Sequence, residues 1–311
     1  MIVVTGGAGF IGSNIIKGLN DTGEENILVV DNLTNAQKHL NLNRLLFTDY
    51  MDKDYFLSNM EKLTNVSAIF HQGACSSTTE RDGKYMMINN YEYSKIRLNH
   101  CLVHKIDFLY ASSAAVYGNG DNGFVEGHKA EYPLNVYGFS KFAFDNYVRR
   151  VLPEAEIQIL GLRYFNVYGP QENHKGRMAS VAFHLFNQLK VSGKMKLFEG
   201  SEEFRRDFIH VADAVKINLH FYQTKYSGIF NAGTGKSRSF KDIARAMHDI
   251  NGSGEIEDIP FPEDLSGKYQ KFTEASLNNL CQTGFREDFM SLEEGIKKYY
   301  NQLSSSNGLY T

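Results

Sequence analysis

A chain of 311 residues with 42% apolar and 22% charged residues has ordinary globular composition and length for about two domains, which excludes a disordered chain. A formal net charge of -3 argues against a dedicated nucleic-acid binder, and no apolar run approaches the roughly 18–20 residues that span a bilayer. The opening Met1-Ile2-Val3-Val4-Thr5 has no basic start, and Cys75, Cys101 and Cys281 show no CxxC spacing, so a cytoplasmic protein without secretory leader, disulfide or bound metal is expected.

Residues 2–5, 27–30, 68–70 and 108–111 are short β-rich apolar runs and predict buried strands. Between them, 10–20, 83–104 and 136–151 carry apolar residues at helical spacing, and 158–163 extends the strand series. Strand-helix alternation predicts an α/β fold: a Rossmann-like, doubly wound parallel sheet covered by helices on both faces. After about Asn166 the regular pattern gives way to loops, with one helix at 179–189 and a last one at 292–300. Residues 1–166 are therefore expected to form the dinucleotide-binding part, joined again by segments near 207–235. Residues 167–311 form a smaller, mostly C-terminal substrate-binding part. The tail Ser304-Ser305-Ser306-Asn307 is expected to be loose.

Directly after the first strand comes Gly6-Gly7-Ala8-Gly9-Phe10-Ile11-Gly12. The GxxGxxG spacing is weak evidence in a chain of 27 glycines, but its place between a strand and a helix makes it strong. Gly6, Gly9 and Gly12 permit a tight turn, a close backbone approach to pyrophosphate and tight helix-strand packing. The helix start adds unpaired N–H groups and partial positive charge for phosphate. Asp31 ends the second strand and would bond a ribose, favouring NAD. Lys38 lies just beyond and would neutralise a 2′-phosphate, favouring NADP. Cys75, in a loop assigned to the same site, reads as a small filler with no committed histidine partner.

Two Tyr-x-x-x-Lys pairs occur, Tyr91/Lys95 and Tyr137/Lys141. Position selects the second. Ligands of open α/β sheets bind beyond the carboxyl ends of the strands, and Ser113 leaves the strand at 108–111 at that edge. Tyr137 and Lys141 follow on one face of the next helix. Oxidising a hydroxyl needs a base for its proton while hydride leaves carbon. Bringing a tyrosine from a pKa near 10 to near neutrality takes roughly 4 kcal/mol of preferential phenolate stabilisation. A lysine ammonium and the positive charge of a nicotinamide cofactor can supply it. Ser113, Tyr137 and Lys141 thus form the candidate catalytic set.

With the glycine turn and this set, the stretches Arg163-Tyr164-Phe165-Asn166-Val167-Tyr168-Gly169-Pro170, Arg206-Asp207-Phe208-Ile209-His210-Val211 and Asn231-Ala232-Gly233-Thr234-Gly235 resemble the extended short-chain dehydrogenase/reductases over nearly the whole chain. Cys75-Ser76-Ser77-Thr78-Thr79-Glu80, Asp82-Gly83-Lys84-Tyr85-Met86-Met87, His174-Lys175-Gly176 and Met178-Ala179-Ser180-Val181-Ala182-Phe183-His184 are most similar to the branch that inverts carbon 6 of an ADP-linked heptose. That resemblance implies oxidation to a keto sugar and return of hydride to its other face, with a tightly bound cofactor, NADP rather than NAD, that is not consumed. It also implies a cytoplasmic homo-oligomer, a pentamer, working in lipopolysaccharide synthesis.

The resemblance makes Lys175 a second acid/base facing Tyr137 across the sugar. It extends the cofactor-binding set to Phe10, Ile11, Asn32, Lys53, Gln72, Gly73, Ala74, Cys75, Ser76, Asn89, Val167 and Lys175. Ser113, Asn166, Arg177, His184, Phe198, Glu199, Gly200, Ser201, Arg206 and Tyr269 become substrate contacts, the arginine Arg206 suiting a pyrophosphate. Gln72 stands where relatives carry glutamate, and Arg177 where they carry a small hydroxyl residue. The nearest rival is inversion of carbon 4 of a UDP-hexose, against which the His174-Lys175-Gly176 segment speaks. A dehydratase would carry acidic residues where Ala114 and Ala115 stand. A non-catalytic dinucleotide sensor would be expected to lose the tyrosine or the lysine.

Overall fold

The computed structural model describes residues 1–261 and 270–311. Its first part runs β1 (Ile2–Thr5), α1 (Phe10–Asp21), β2 (Ile27–Asp31), β3 (Asp49–Asp52), α2 (Lys53–Asn59), β4 (Ala68–His71), α3 (Gly83–Met86), α4 (Tyr93–His104), β5 (Asp107–Ser113), α5 (Val136–Val151) and β6 (Ile159–Tyr164). There follow β7 (Asn166–Tyr168), α6 (Val181–Ser192), β8 (Lys194–Phe198), β9 (Arg205–His210), α7 (Val211–Thr224) and β10 (Gly228–Ala232). The last elements are β11 (Ser237–Ser239), α8 (Phe240–Asn251), β12 (Glu255–Ile259), α9 (Asn278–Gln282) and α10 (Leu292–Ser306).

Seven strands form one parallel sheet in the order β10-β6-β5-β4-β1-β2-β3. β1, β2 and β4 are buried along their whole length, which is why they read as continuous apolar runs rather than alternating ones. One face is covered by α1 and α7, through Ile15, Ile16, Leu19, Ile217 and Phe221. The other packs Phe56, Leu98, Cys101, Phe144 and Val148 against Phe108 and Ile159. Strand order reverses between β1 and β4, so the loops after these two strands open a crevice at their carboxyl ends.

The chain leaves this sheet after β6 and returns to it with β10, which pairs with β6 from Gly228 against Leu160 to Ala232 against Tyr164. A second core lies between α6, α8 and α10, built on Leu185, Phe186, Met195, Met247, Ile296 and Tyr299. β11, β9 and β7 make a three-stranded sheet, and β12 pairs with β8.

Three expectations need correction. Residues 83–104 are not one regular helix: Met87–Glu92 is a π-helical stretch between α3 and α4. There the buried Asn90 turns inward to bond Cys75 and Ser140, a tertiary demand that helical periodicity does not show. The last helix does not end near Tyr300 but runs to Ser306. The tail is consequently not loose: Asn307 closes that helix in a left-handed cap, the Gly308 carbonyl accepts from Gln171 N–H at 2.8 Å, and the Tyr310 hydroxyl donates to Asn14.

Candidate active site

The crevice continues into a cleft of about 990 Å³. Its floor is the glycine turn, and close approach explains the residue type. Gly6 has φ +68°, and a Cβ there would lie 2.6 Å from Gly73 N, so the loops after β1 and β4 touch. A Cβ on Gly12 would lie 2.2 Å from Gly6 O. Gly9 is the N-cap of α1 and makes no side-chain cap, leaving the first-turn N–H groups of Phe10, Ile11 and Gly12 directed at the cleft these residues line. Glycine on both sides and uncapped donors between them fit a pyrophosphate.

Asp31 and Lys38, which pulled the cofactor reading in opposite directions, are paired with each other: Lys38 Nζ lies 2.6 Å from Asp31 Oδ1 and donates to the Asn32 carbonyl at 3.2 Å. The carboxylate also accepts from Ala8 N–H at 2.9 Å and Asn32 N–H at 2.7 Å. It is thus committed to the chain on both oxygens. Lys53, at the start of α2, donates to Asn89 Oδ1 at 3.3 Å and lies on the same wall.

Ser113 ends β5 and accepts from Ala115 N–H at 3.1 Å. Asn135 caps α5 by accepting from Gly138 N–H at 2.8 Å, fixing the helix start that carries Tyr137 and Lys141 into the cleft. Burial raises the Tyr137 phenol, with the Ser113 hydroxyl acting the other way. Burial also lowers Lys141 to about 8, opposed by the Asp145 carboxylate one turn on. Lys141 Nζ donates to the Ala111 carbonyl at 2.8 Å.

Beneath this set lies an ionic network. Asp145 accepts from Tyr110 (2.9 Å), Ser112 (3.0 Å) and the fully buried Arg163 guanidinium (2.9 Å), and Arg163 also pairs with Glu131, which Arg149 completes. β5, β6 and α5 are thereby tied together next to Ser113. Breaking such a buried pair typically costs about 3–5 kcal/mol, because it leaves a charge uncompensated.

The opposite wall is the 173–178 turn. Glu172 is fully buried and anchors it, accepting from Ser180 N–H and Oγ, both at 2.6 Å, and from Tyr299 at 3.0 Å. Lys175 projects over the Phe10 ring at 5.0 Å, and burial lowers its pKa. His174 stands beside it, lowered to about 4 by burial and by Lys38 and Lys175.

Every cofactor-binding and catalytic residue named from the sequence lines this cleft. Of the substrate set, Ser113, Asn166, Arg177 and Arg206 line it; His184, Phe198, Glu199, Gly200 and Ser201 do not. His184 is on α6 against Phe183, and Phe198 stacks edge-on with Phe261 at 5.5 Å. Tyr269 lies outside the described residues. Tyr91 and Lys95 are absent from the cleft wall; Lys95 sits over the Tyr91 ring at 4.8 Å and pairs with Glu92. Sequence reasoning missed Asn35, Tyr85, Tyr93 and Gln270 on the wall, and the Asp145 network below it. Asp145 had a signal, four residues after Lys141 on the same helix face, and Tyr85 stood in one of the stretches that carry the resemblance; Asn35, Tyr93 and Gln270 had none.

Residues 2–233 match the model of the NAD dependent epimerase/dehydratase family. The chain is 59% identical, over 99% of either chain, to ADP-L-glycero-D-manno-heptose-6-epimerase of Brachyspira hyodysenteriae. Among solved structures it resembles ADP-L-glycero-D-manno-heptose-6-epimerase of Helicobacter pylori, with TM-score 0.85 and 30% identity over 98% of this chain and 96% of that one. It also resembles UDP-N-acetylglucosamine 4-epimerase of Methanobrevibacter ruminantium, with TM-score 0.83 and 25% identity over 98% of each.

Proposed function

The chain belongs to the NAD dependent epimerase/dehydratase family, and from that premise we propose that it interconverts ADP-D-glycero-D-manno-heptose and ADP-L-glycero-D-manno-heptose by inverting carbon 6. The observation that carries this reading is the 59% identity along 99% of the chain to an enzyme of that name. Its chemistry is supported by two proton-handling groups, Tyr137 and Lys175, on the wall of one cleft that also holds the glycine turn.

A bound nicotinamide would supply the hydride chemistry at carbon 6. The chain does the rest. The first-turn N–H groups of α1 would hold its pyrophosphate. Ser113 holds the reacting oxygen, and Tyr137 removes its proton. Lys141 stays charged to favour the phenolate. The keto sugar then turns its other face, and Lys175 protonates the oxygen as hydride returns; the two groups exchange roles in the reverse direction. Burial, by lowering Lys175, makes it a better proton donor than an exposed lysine.

NADP is the cofactor form we assign. In support, both Asp31 oxygens already accept backbone N–H groups, of Ala8 and Asn32, and Lys38 and Lys53 bring two cations to the cleft wall, Lys38 against Asp31 itself. Among the described residues, no helix is long and apolar enough to cross a membrane. We place the enzyme in the cytoplasm as a homo-oligomer, a pentamer by likeness to its family, acting in lipopolysaccharide synthesis. Association is supported by Ile96, Val103 and Phe139, left exposed on α4 and α5.

The test is incubation with ADP-D-glycero-D-manno-heptose, without added cofactor, followed by proton NMR. A mixture of the two 6-epimers is expected, with UDP-glucose left unchanged in a parallel sample. Inversion of UDP-glucose at carbon 4 with no action on the heptose would overturn the substrate assignment.

A further inference from the structure

Away from the cleft, three potential ligands converge on the outer face of the α2–α4 side. His100 and His104 lie one turn apart on α4, so their rings share a face, with centroids 4.2 Å apart. Opposite them, Glu61 sits in the short turn Met60–Lys62 that follows α2. His100 Nδ1 is 2.9 Å from one oxygen of its carboxylate and His104 Nε2 is 2.9 Å from the other. One donor atom from each residue lies within 4.8 Å of the others. Neighbouring lysines are engaged elsewhere: Lys62 bonds Asn59, and Lys105 pairs with Glu156.

We propose that Glu61, His100 and His104 bind one divalent transition-metal ion of the zinc class, with water completing the coordination. Two imidazoles and a carboxylate are the ligand types such ions take, at roughly 2.0–2.2 Å. A tetrahedral ion at that distance sets its ligands about 3.3 Å apart; each imidazole nitrogen lies 2.9 Å from a Glu61 oxygen, and the donor atoms, all within 4.8 Å of one another, would be gathered by rotation of the exposed side chains. The His100 side chain, 6% exposed, is held in place by packing, whereas His104 and Glu61 are 41% and 67% exposed and free to adjust. Water reaches the open side.

The site links two segments that also meet at the cleft. Lys53 at the start of α2 bonds Asn89, just before α4, and the three ligands join the far ends of the same pair. His104 is the last residue of α4, about 16 Å along the helix from Tyr93 on the cleft wall. A bound ion would brace α2 against α4 without touching the chemistry. Its binding does not depend on which sugar the cleft takes.

The test uses tag-free, chelator-treated protein with its cofactor retained, titrated with zinc chloride by calorimetry and with cobalt chloride by visible absorption. One ion per chain, a zinc-dependent rise in Tm and a cobalt d–d band are expected. His104→Ala and Glu61→Gln are each expected to weaken zinc binding by ~10-fold or more and to abolish the rise in Tm, with turnover in the cleft unchanged. No saturable binding, or equal binding by the parent and both variants, would overturn the site.

Discussion

Lys141 is pulled two ways. The role proposed for it requires an ammonium beside a Tyr137 phenolate, yet burial lowers it to about 8. Tyr137 is raised by the same burial, and to act as the proposed base it would need that ammonium and a cofactor's charge to bring it down. Turnover is therefore expected to fall as pH rises through about 8, where Lys141 loses its proton, and to fall on the acid side as Tyr137 keeps its own. Rates measured by NMR across pH check this, and a rate that keeps rising to about pH 10 would contradict it. At the adenosine end, Lys38→Ala and Lys53→Ala are each expected to cut NADP affinity about tenfold while changing NAD affinity little, since a charge-assisted hydrogen bond contributes roughly 1.5–3 kcal/mol. Equal losses for both cofactors, by fluorescence titration, would contradict the assignment of these lysines to the 2′-phosphate.

The glycine turn shows how an element imposes residue types. Gly12→Ala would put a methyl group 2.2 Å from a backbone oxygen that cannot yield without opening the turn. It is expected to strip the bound cofactor, read as nicotinamide released on denaturation. Gly83→Ala is the control: the nearest atom to its Cβ would be Val136 Cγ2 at 3.7 Å, and a small gain of about 0.4–1 kcal/mol in stability is expected. Cofactor retained in full by the Gly12 variant would contradict this reading of the turn. Such elements were legible in the sequence because their causes are local: glycine spacing, and buried apolar runs such as Ile27–Asp31. β3 and β11 were not. Their residues, Asp49-Tyr50-Met51-Asp52 and Ser237-Arg238-Ser239, carry no strand signal and are extended because they pair at sheet edges. The π-helical stretch was equally hidden, since Asn90 takes its partners from residues 15 and 50 positions away.

Across the whole molecule, the 170s turn is tied both to α6 and to α10, so the last residues help hold the wall that carries Lys175. Nothing local in the sequence hinted at this, because Glu172 and Tyr299 are 127 positions apart. A second global feature is the burial of histidines. His210 caps α7 by accepting from Ala212 N–H at 3.1 Å, and burial lowers it to about 3. His71 and His174 are lowered in the same sense. Unfolding lets such groups take up protons near their ordinary value of 6.5, so the unfolded chain binds more protons below it. The stability concerned is complete above pH 6.5 and is lost as pH falls towards about 3. His210→Asn keeps an acceptor at the cap without the titration, and its urea midpoint is expected to fall less than the parent's between neutral and mildly acid pH. Parallel declines would contradict this role of His210.

On the reading proposed for the cleft, inversion proceeds by removal and return of hydride at carbon 6. It is tested most directly by running the reaction in deuterium oxide with ordinary substrate and reading carbon 6 of the product by NMR. Return of the same hydride leaves that position free of solvent deuterium while the epimers equilibrate, and Tyr137→Phe is expected to slow the exchange of epimers by ~10²–10⁴. Deuterium appearing at carbon 6 at the rate of inversion would mean that a proton is abstracted from carbon, and would contradict hydride transfer in the cleft.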